Sequence, residues 1–202
     1  MPRNFIALLV FFAGLLAVCW IGIGYAGTHP LAAVVATVIA ACYLVGAFEL
    51  LRYRQATATL AQALPSIAEA ADNLDGWLAR LHPGLRNAVR LRVQGERIGL
   101  PAPALTPYLV GLLVLLGMLG TLLGMMATLR GTGMALESAT DLDAIRSSLA
   151  APVKGLGFAF GTSIAGVATS AALGLLSALL RRERAQAVQQ LDAGIAAHLA
   201  QH

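Results

Sequence analysis

Charge is scarce in this chain: Asp, Glu, Lys and Arg make up 12% of its 202 residues, whereas hydrophobic residues make up 58%. The mean hydropathy is +0.75. Soluble domains carry roughly 25% charged residues, so this composition excludes an ordinary water-soluble domain and indicates a membrane protein. Cysteine is also rare. Cys19 and Cys42 both lie in apolar runs, give no disulfide framework and show no metal-ligand spacing, so no cofactor is expected.

Four apolar segments are long enough to cross a bilayer. A hydrocarbon core of about 30 Å requires roughly 20 apolar residues in a helix. The segments of that length lie at about residues 5–26, 31–51, 105–129 and 153–180. The first could also be a secretory signal peptide, but its apolar run exceeds the roughly 7 to 15 residues of a signal core. The sequence therefore predicts an all-α integral membrane protein with four transmembrane helices.

The basic residues predict the orientation of these spans, because Lys and Arg collect on the cytoplasmic side of a membrane. Three of the fourteen, Arg130, Arg146 and Lys154, lie between spans three and four. The other eleven precede span one, join spans two and three, or follow span four: Arg3, Arg52, Arg54, Arg80, Arg86, Arg90, Arg92, Arg97, Arg181, Arg182 and Arg184. Both termini are therefore predicted in the cytoplasm. The isoelectric point near 9.6 reflects this topology, and no nucleic-acid partner is expected.

The chain divides by these criteria into a transmembrane hairpin, a cytoplasmic segment, a core made by spans three and four, and a cytoplasmic helical tail, at residues 1–51, 52–104, 105–185 and 186–202. In the cytoplasmic segment, Leu and Ile recur at three- and four-residue steps, which predicts an amphipathic helix interrupted at Pro65. The arginines from Arg80 to Arg97 are interpreted as a solvated surface or a contact with lipid headgroups.

Small and hydroxyl-bearing residues form stripes along spans three and four. In span three, LGMLGTLLGMM and its continuation place Gly117, Thr121, Gly124 and Thr128 on one helical face. In span four, one stripe contains Ser163, Gly166, Ser170, Gly174 and Ser177, and a second beside it contains Thr162 and Thr169. Two interpretations remain open. Small residues allow close helix packing, and hydroxyls can instead line a path for ions or water.

Acidic residues are absent from both of these spans. The sequence contains none between Pro107 and Arg130, and none between Gly155 and Leu180. The chain therefore cannot supply a carboxylate relay at mid-membrane by itself. Glu49, near the cytoplasmic end of span two, is expected to be a paired interface residue.

The motif from Leu116 to Met125 fits the pattern L-G-x-x-G-T-x-x-G-[MI], and Ala159 to Gly166 fits A-x-x-x-[TS]-x-x-G. Both patterns resemble the MotA/TolQ/ExbB ion-channel family. A serine at Ser163, preceded by Thr162, is most similar to the ZorA-like branch, and the four-span layout agrees with that branch. The resemblance is specific over about residues 105–185 and is only topological before them.

The resemblance implies a multi-pass protein of the bacterial inner membrane that converts ion-motive force into mechanical work and is not an enzyme. It implies a pentamer of this chain around single-span partner helices of the MotB, ExbD or ZorB type, each bearing an Asp. Thr121 matches the family's pore threonine and Ser163 its second hydroxyl. ExbB and TolQ members carry a Glu five residues before that hydroxyl, where this chain has Phe158.

On this basis the predicted ion-pathway residues are Thr121, Ser163, Thr162, Thr128 and Ser170, and the predicted helix-packing residues are Gly117, Gly120, Gly124, Gly166 and Gly174. The expected ion is H⁺, because no ring of oxygen ligands suited to sodium is evident in the sequence. The alternative function is a non-conducting scaffold with four spans, or a small transporter subunit. Between spans three and four a short helix capped at Thr140 or Asp141 is predicted, with Lys154 as an interfacial anchor.

Overall fold

Helices account for about 90% of the described residues, which contain no strand. The structure is a computed structural model that describes residues 3–25, 30–96, 98–137 and 142–198. The helices are α1 (Arg3–Tyr25), α2 (Pro30–Ala63), α3 (Glu69–Asp72), α4 (Leu74–Ala79), α5 (Pro83–Val93), α6 (Thr106–Glu137) and α7 (Leu142–His198).

Four of these helices contain stretches long and apolar enough to span a membrane: Phe5–Gly24, Pro30–Ser66, Thr106–Gly133 and Ala159–Ala197. The prediction of a multi-pass, all-α membrane protein with four spans is confirmed at this level, and its orientation stays a prediction. Helix α7 has 57 residues. At about 1.5 Å per residue it is far longer than a bilayer of about 30 Å requires, so it continues well beyond the membrane.

One compact unit comprises Met1–Ala47 and Thr106–Leu175. Its helices α1 and α2 are joined through Tyr43, whose side chain is fully buried. The Tyr43 hydroxyl donates a hydrogen bond of 3.0 Å to the carbonyl oxygen of Phe11, and the two rings stack with centroids 5.7 Å apart. Gly14 leaves the space that the tyrosine ring occupies, because a Cβ atom there would lie 2.6 Å from the Tyr43 hydroxyl. The predicted hairpin therefore contains a specific packed contact.

The second compact unit comprises Phe48–Leu105 and Leu176–His202. Its apolar core contains Leu60, Trp77, Leu81, Leu85, Val89 and Leu191, all buried. The predicted interruption at Pro65 is confirmed: α2 ends at Ala63, and a 3₁₀ turn, Leu64–Ser66, follows. The carbonyl oxygen of Ala63 accepts a hydrogen bond of 3.0 Å from the Trp77 indole nitrogen. This bond holds the following short helices against the end of α2.

The described arginines of the predicted basic surface are exposed or half-buried, yet each is bonded within the protein. Three of them pair with carboxylates: Arg80 with Glu69 at 2.8 Å, Arg90 with Asp75, and Arg92 with Asp192 through hydrogen bonds of 2.6 and 2.9 Å. The fourth, Arg86, donates to the carbonyl oxygens of Leu81 and Ala79. Arg97 lies outside the described residues. These side chains therefore connect the short helices and α7, in addition to facing solvent.

The segment between spans three and four is helical on both sides of residues 138–141, because α6 continues to Glu137 and α7 begins at Leu142. Residues 142–153 thus form the first part of α7 and not a separate short helix. The predicted caps, Thr140 and Asp141, lie outside the described residues, and so does the side chain of Lys154.

Candidate functional site

The backbones of α6 and α7 meet at Gly117 and Gly166, two of the five glycines predicted to pack helices. A Cβ atom on Gly166 would lie 2.6 Å from the carbonyl oxygen of Leu113 and 2.7 Å from the Cα of Gly117. A Cβ atom on Gly117 would lie 3.3 Å from the Cα of Ser163. Because the nearest atoms are backbone, no side chain could move aside to make room. The contact therefore requires glycine at Gly166 and leaves little room for a larger residue at Gly117.

The other three predicted packing glycines differ from one another. A Cβ atom on Gly120 would lie 2.6 Å from the hydroxyl oxygen of Thr162 and 3.1 Å from a methyl carbon of Val35, so this glycine accommodates both α7 and α2. Gly124 is buried. Gly174 is only half-buried, and a Cβ atom there would meet Val110 at 3.8 Å, which is an ordinary van der Waals contact. Close approach of α6 and α7 is thus concentrated around Gly117, Gly120 and Gly166.

Two of the five predicted ion-pathway hydroxyls, those of Thr162 and Ser170, are buried between helices. Thr162 is fully buried opposite Gly120, and its hydroxyl donates a hydrogen bond of 3.0 Å to the carbonyl oxygen of Ala159. Ser170 is 5% exposed, and its hydroxyl donates a bond of 2.8 Å to the carbonyl oxygen of Val110 on α6. These contacts give both residues a role in holding α6 and α7 together.

The remaining three, Thr121, Thr128 and Ser163, are half-buried. Thr121 donates a hydrogen bond of 2.9 Å to the carbonyl oxygen of Gly117, and Thr128 donates one of 2.6 Å to that of Gly124. Within the described residues, the hydroxyl of Ser163 has no hydrogen-bond partner. Thr121 follows Gly117 by one helical turn, and Ser163 packs against Gly117. Thr121 and Ser163 therefore lie beside the same backbone contact, on α6 and α7 respectively.

The chemistry open to these two hydroxyls follows from their bonding. The Thr121 oxygen, having donated its proton to a carbonyl, retains lone pairs that can accept a hydrogen bond. The Ser163 hydroxyl can both donate and accept. Exposed apolar side chains flank both hydroxyls: Leu122, at 64% exposure, follows Thr121, and Phe160, at 59%, lies three residues before Ser163. Among the described residues no group of His, Cys, Asp or Glu is placed to hold a metal ion. The site can exchange hydrogen bonds but cannot itself titrate.

Sequence reasoning did not single out Arg184, which follows the predicted end of span four near residue 180 and is the most buried charged side chain described, at 5% exposure. Its guanidinium donates to the Thr57 hydroxyl at 2.8 Å, to the Tyr53 carbonyl oxygen at 3.2 Å and to the Pro101 carbonyl oxygen at 3.3 Å. It also lies 4.2 Å above the ring of Tyr53. Burial lowers the pKa of Arg184 from its usual value, although the guanidinium stays charged. Its helical phase was a usable signal, because Leu180, Arg184, Ala187 and Leu191 follow one another at steps of four, three and four.

Glu49, predicted to be a paired interface residue, is bonded to the backbone at the start of α6. One carboxylate oxygen accepts a hydrogen bond of 2.9 Å from the amide of Leu105, directly before Thr106. A carboxylate is stabilised beside a helix N-terminus, where unpaired amides carry partial positive charge. Glu49 thereby links α2 to the segment that leads into span three.

Compared with protein-family models, with curated proteins and with solved structures, the chain has no match. The likeness to the MotA/TolQ/ExbB family rests on the residues of spans three and four alone.

Proposed function

We propose that this chain is a subunit of a proton channel of the stator type in the bacterial inner membrane, which converts ion-motive force into mechanical work together with a single-span partner bearing an Asp. One observation carries the proposal most directly. Thr121 and Ser163, which match the two hydroxyl positions of the family motif, are half-buried beside the Gly117–Gly166 contact, whereas Thr162 and Ser170 are used in packing.

Spans three and four contain no acidic residue, so the partner has to supply the group that titrates. A carboxyl group on the partner would take up and release the proton. The protonated carboxyl could donate to the Thr121 oxygen, and the carboxylate could accept from the Ser163 hydroxyl. Because neither hydroxyl titrates, the two can serve both protonation states of a cyclic relay.

An exposed apolar face on α6 supports assembly with further copies of the chain, which the family resemblance puts at five. Its residues follow one another at alternating steps of four and three, and their exposures range from 41% to 79%: Tyr108, Leu112, Leu115, Leu119, Leu122, Met126 and Leu129. A regular face of this kind is suited to another membrane helix or to lipid.

Proton flux into liposomes tests the proposal. The complex is isolated from native membranes through a tag on this chain, so that a single-span partner is retained, and is then reconstituted. Wild type is compared with a double variant, Thr121→Val with Ser163→Ala, which removes both hydroxyls at little change in volume. Thr169→Val is the matched control, because that hydroxyl is fully buried and donates only within α7.

We expect flux to collapse in the double variant and to persist in the control, since hydrogen-bonded relays depend on the hydroxyls that line them. Equal flux in all three proteins would refute a pathway along Thr121 and Ser163.

A non-conducting scaffold, or a small transporter subunit, is the competing function. The hydroxyls of Thr162, Thr169 and Ser170 favour it, because all three are buried and bonded to backbone carbonyls. A scaffold would give no proton flux with its partner bound, and would be isolated as a monomer or dimer.

A further inference from the structure

The segment that leads into α6 has no regular secondary structure. It comprises residues 98–105, which we call the strap. Among the described residues, the backbone of residues 99–103 forms no hydrogen bond with another backbone group. Backbone groups outside helices and sheets have to be bonded by side chains or by water. The strap is therefore held in place by side-chain contacts.

Two arginines from different helices bond to the strap backbone. Arg92 of α5 donates a hydrogen bond of 2.8 Å to the carbonyl oxygen of Ile98, the first residue of the strap. Arg184 of α7 donates one of 3.3 Å to the carbonyl oxygen of Pro101, in the middle of the strap. Hydrogen bonds from charged donors are roughly twice as strong as those between neutral groups. These two bonds hold the first half of the strap to α5 and α7.

A carboxylate from a third helix holds the other end of the strap. Glu49 of α2 accepts a hydrogen bond of 2.9 Å from the amide of Leu105, the last residue of the strap. Between these polar contacts Pro103 is buried, and the half-buried Leu100 packs against the apolar core of the second unit. Pro101 and Pro103 also restrict the backbone, because a proline ring fixes φ. Few dihedral angles are thus left to absorb a movement of one end of the strap without the other.

We propose that the strap is a latch at the start of span three, which the charges of Arg92, Arg184 and Glu49 hold closed and which opens as one unit. Segments with few buried contacts and few backbone bonds open locally, at a lower free energy than the core beside them. Because α6 begins at Thr106, directly after the strap, its opening would release the part of the chain that enters span three. The inference is independent of ion conduction.

The mobility of a nitroxide spin label on the strap tests the proposal. The label is attached at Ala102→Cys, an exposed position, in the full chain in detergent, with Cys19→Ala and Cys42→Ala to remove the native thiols. In a separate protein the label is attached at Asn87→Cys, which is exposed on α5 and reports on the rest of the second unit. Spectra are recorded by electron paramagnetic resonance, and circular dichroism checks helix content.

Three variants each remove one bond to the strap: Arg92→Met, Arg184→Met and Glu49→Ala. Arg86→Met is the matched control, because Arg86 also donates to two backbone carbonyl oxygens, but both lie outside the strap. Glu49→Gln is the conservative variant, since its amide oxygen can accept the same hydrogen bond.

We expect the ratio of mobile to immobile label at Ala102 to rise at least about fivefold in each of the three variants, the effect of losing one hydrogen bond to a charged group. The ratio should change by less than about twofold in Arg86→Met and in Glu49→Gln. The label at Asn87 should keep its wild-type spectrum throughout, because the apolar core of the unit does not depend on the strap.

Three results would overturn the proposal. A rise confined to Arg184→Met, whose bond lies next to the labelled residue, would show that the strap does not open as one unit. An equal rise at Asn87, or in the Arg86→Met control, would show that these bonds support the whole unit and not the strap. Unchanged spectra in all three variants would show that the charges do not hold the strap closed. None of these measurements depends on proton flux, so failure here leaves the channel proposal to its own test.

Discussion

Gly166 and Gly117 join α6 to α7 through backbone contact, so close that a Cβ atom added to Gly166 would lie only 2.7 Å from the Cα of Gly117. Backbone atoms on both sides fix this spacing, so the position of the half-buried hydroxyls of Thr121 and Ser163 depends on it. Any separation of α6 from α7 would therefore also move the Thr121 and Ser163 hydroxyls relative to each other.

Gly166→Ala should therefore lower the free energy of unfolding by about 1–3 kcal/mol, the usual cost of overpacking where neighbours cannot move. Gly174→Ala is the control on the same helix, because its nearest neighbour, Val110, lies at 3.8 Å and leaves room for a methyl group. Unfolding in mixed micelles by dodecyl sulfate, followed by circular dichroism, measures both. Equal stability of the two variants would contradict the close contact.

Ser170→Ala tests a hydroxyl bond between span four and span three, from the Ser170 hydroxyl to the Val110 carbonyl oxygen at 2.8 Å. Such bonds between membrane helices contribute about 0.6 kcal/mol and at most about 1.7. We expect a loss of stability in that range. Thr128→Val is the control, since the Thr128 hydroxyl donates only to carbonyls of its own helix. An equal loss of stability in the control would show that a hydroxyl bonded within its own helix stabilises the protein as much as one bonded between helices.

The sequence predicted the features that depend on one segment alone, and it did not predict those that depend on contacts between distant segments. Hydropathy alone located the four spans, because length and apolar content decide whether a helix can cross a bilayer. It could not separate Thr162 from Ser163. These neighbours differ by about 100° around the helix, and the rotation of α7 against α6 decides which one is buried. That rotation follows from the Gly117–Gly166 contact, which joins residues far apart in sequence.

The partners of the arginines outside the spans were unpredictable for the same reason. Arg92 pairs with Asp192, which is 100 positions away in the chain, and Arg90 pairs with Asp75, which is 15 positions away. Topology rules treat all such arginines alike, as markers of the cytoplasmic side.

Gly14→Ala should destabilise the hairpin of α1 and α2 by about 1–3 kcal/mol. A Cβ atom there would meet the Tyr43 hydroxyl at 2.6 Å, the ring carbon that bears it at 2.8 Å and the Cβ of Ala172 at 2.9 Å. Tyr43→Phe removes only the first of these contacts, so it should rescue the defect incompletely. Gly24→Ala is the control, because nothing lies within 4 Å of its Cβ position. Full recovery of stability when Gly14→Ala is combined with Tyr43→Phe would mean that the Tyr43 hydroxyl alone causes the clash.

Arg184 offers a prediction with a definite dependence on pH. Arg184→Met should lower stability by about 1–3 kcal/mol, because it removes three hydrogen bonds from a charged donor. The variant also removes the free-energy cost of burying a charge, which offsets part of that loss. Arg184→Lys should be more harmful near neutral pH. An ammonium cannot reach three divergent acceptors, and it tolerates burial less well than a guanidinium.

The sign of the pH effect follows from that burial, which already lowers the pKa of Arg184 itself. A lysine introduced there would have a folded pKa below its unfolded value of about 10.4, so above the lowered pKa the unfolded chain binds more protons than the folded one. The stability of Arg184→Lys relative to wild type should therefore rise as the pH increases from that lowered pKa toward about 10.4. Arg184→Met, which has nothing to titrate at this position, should show no such trend. Dodecyl sulfate unfolding across that range measures the difference, and a flat profile for Arg184→Lys would show that the guanidinium site is open to water.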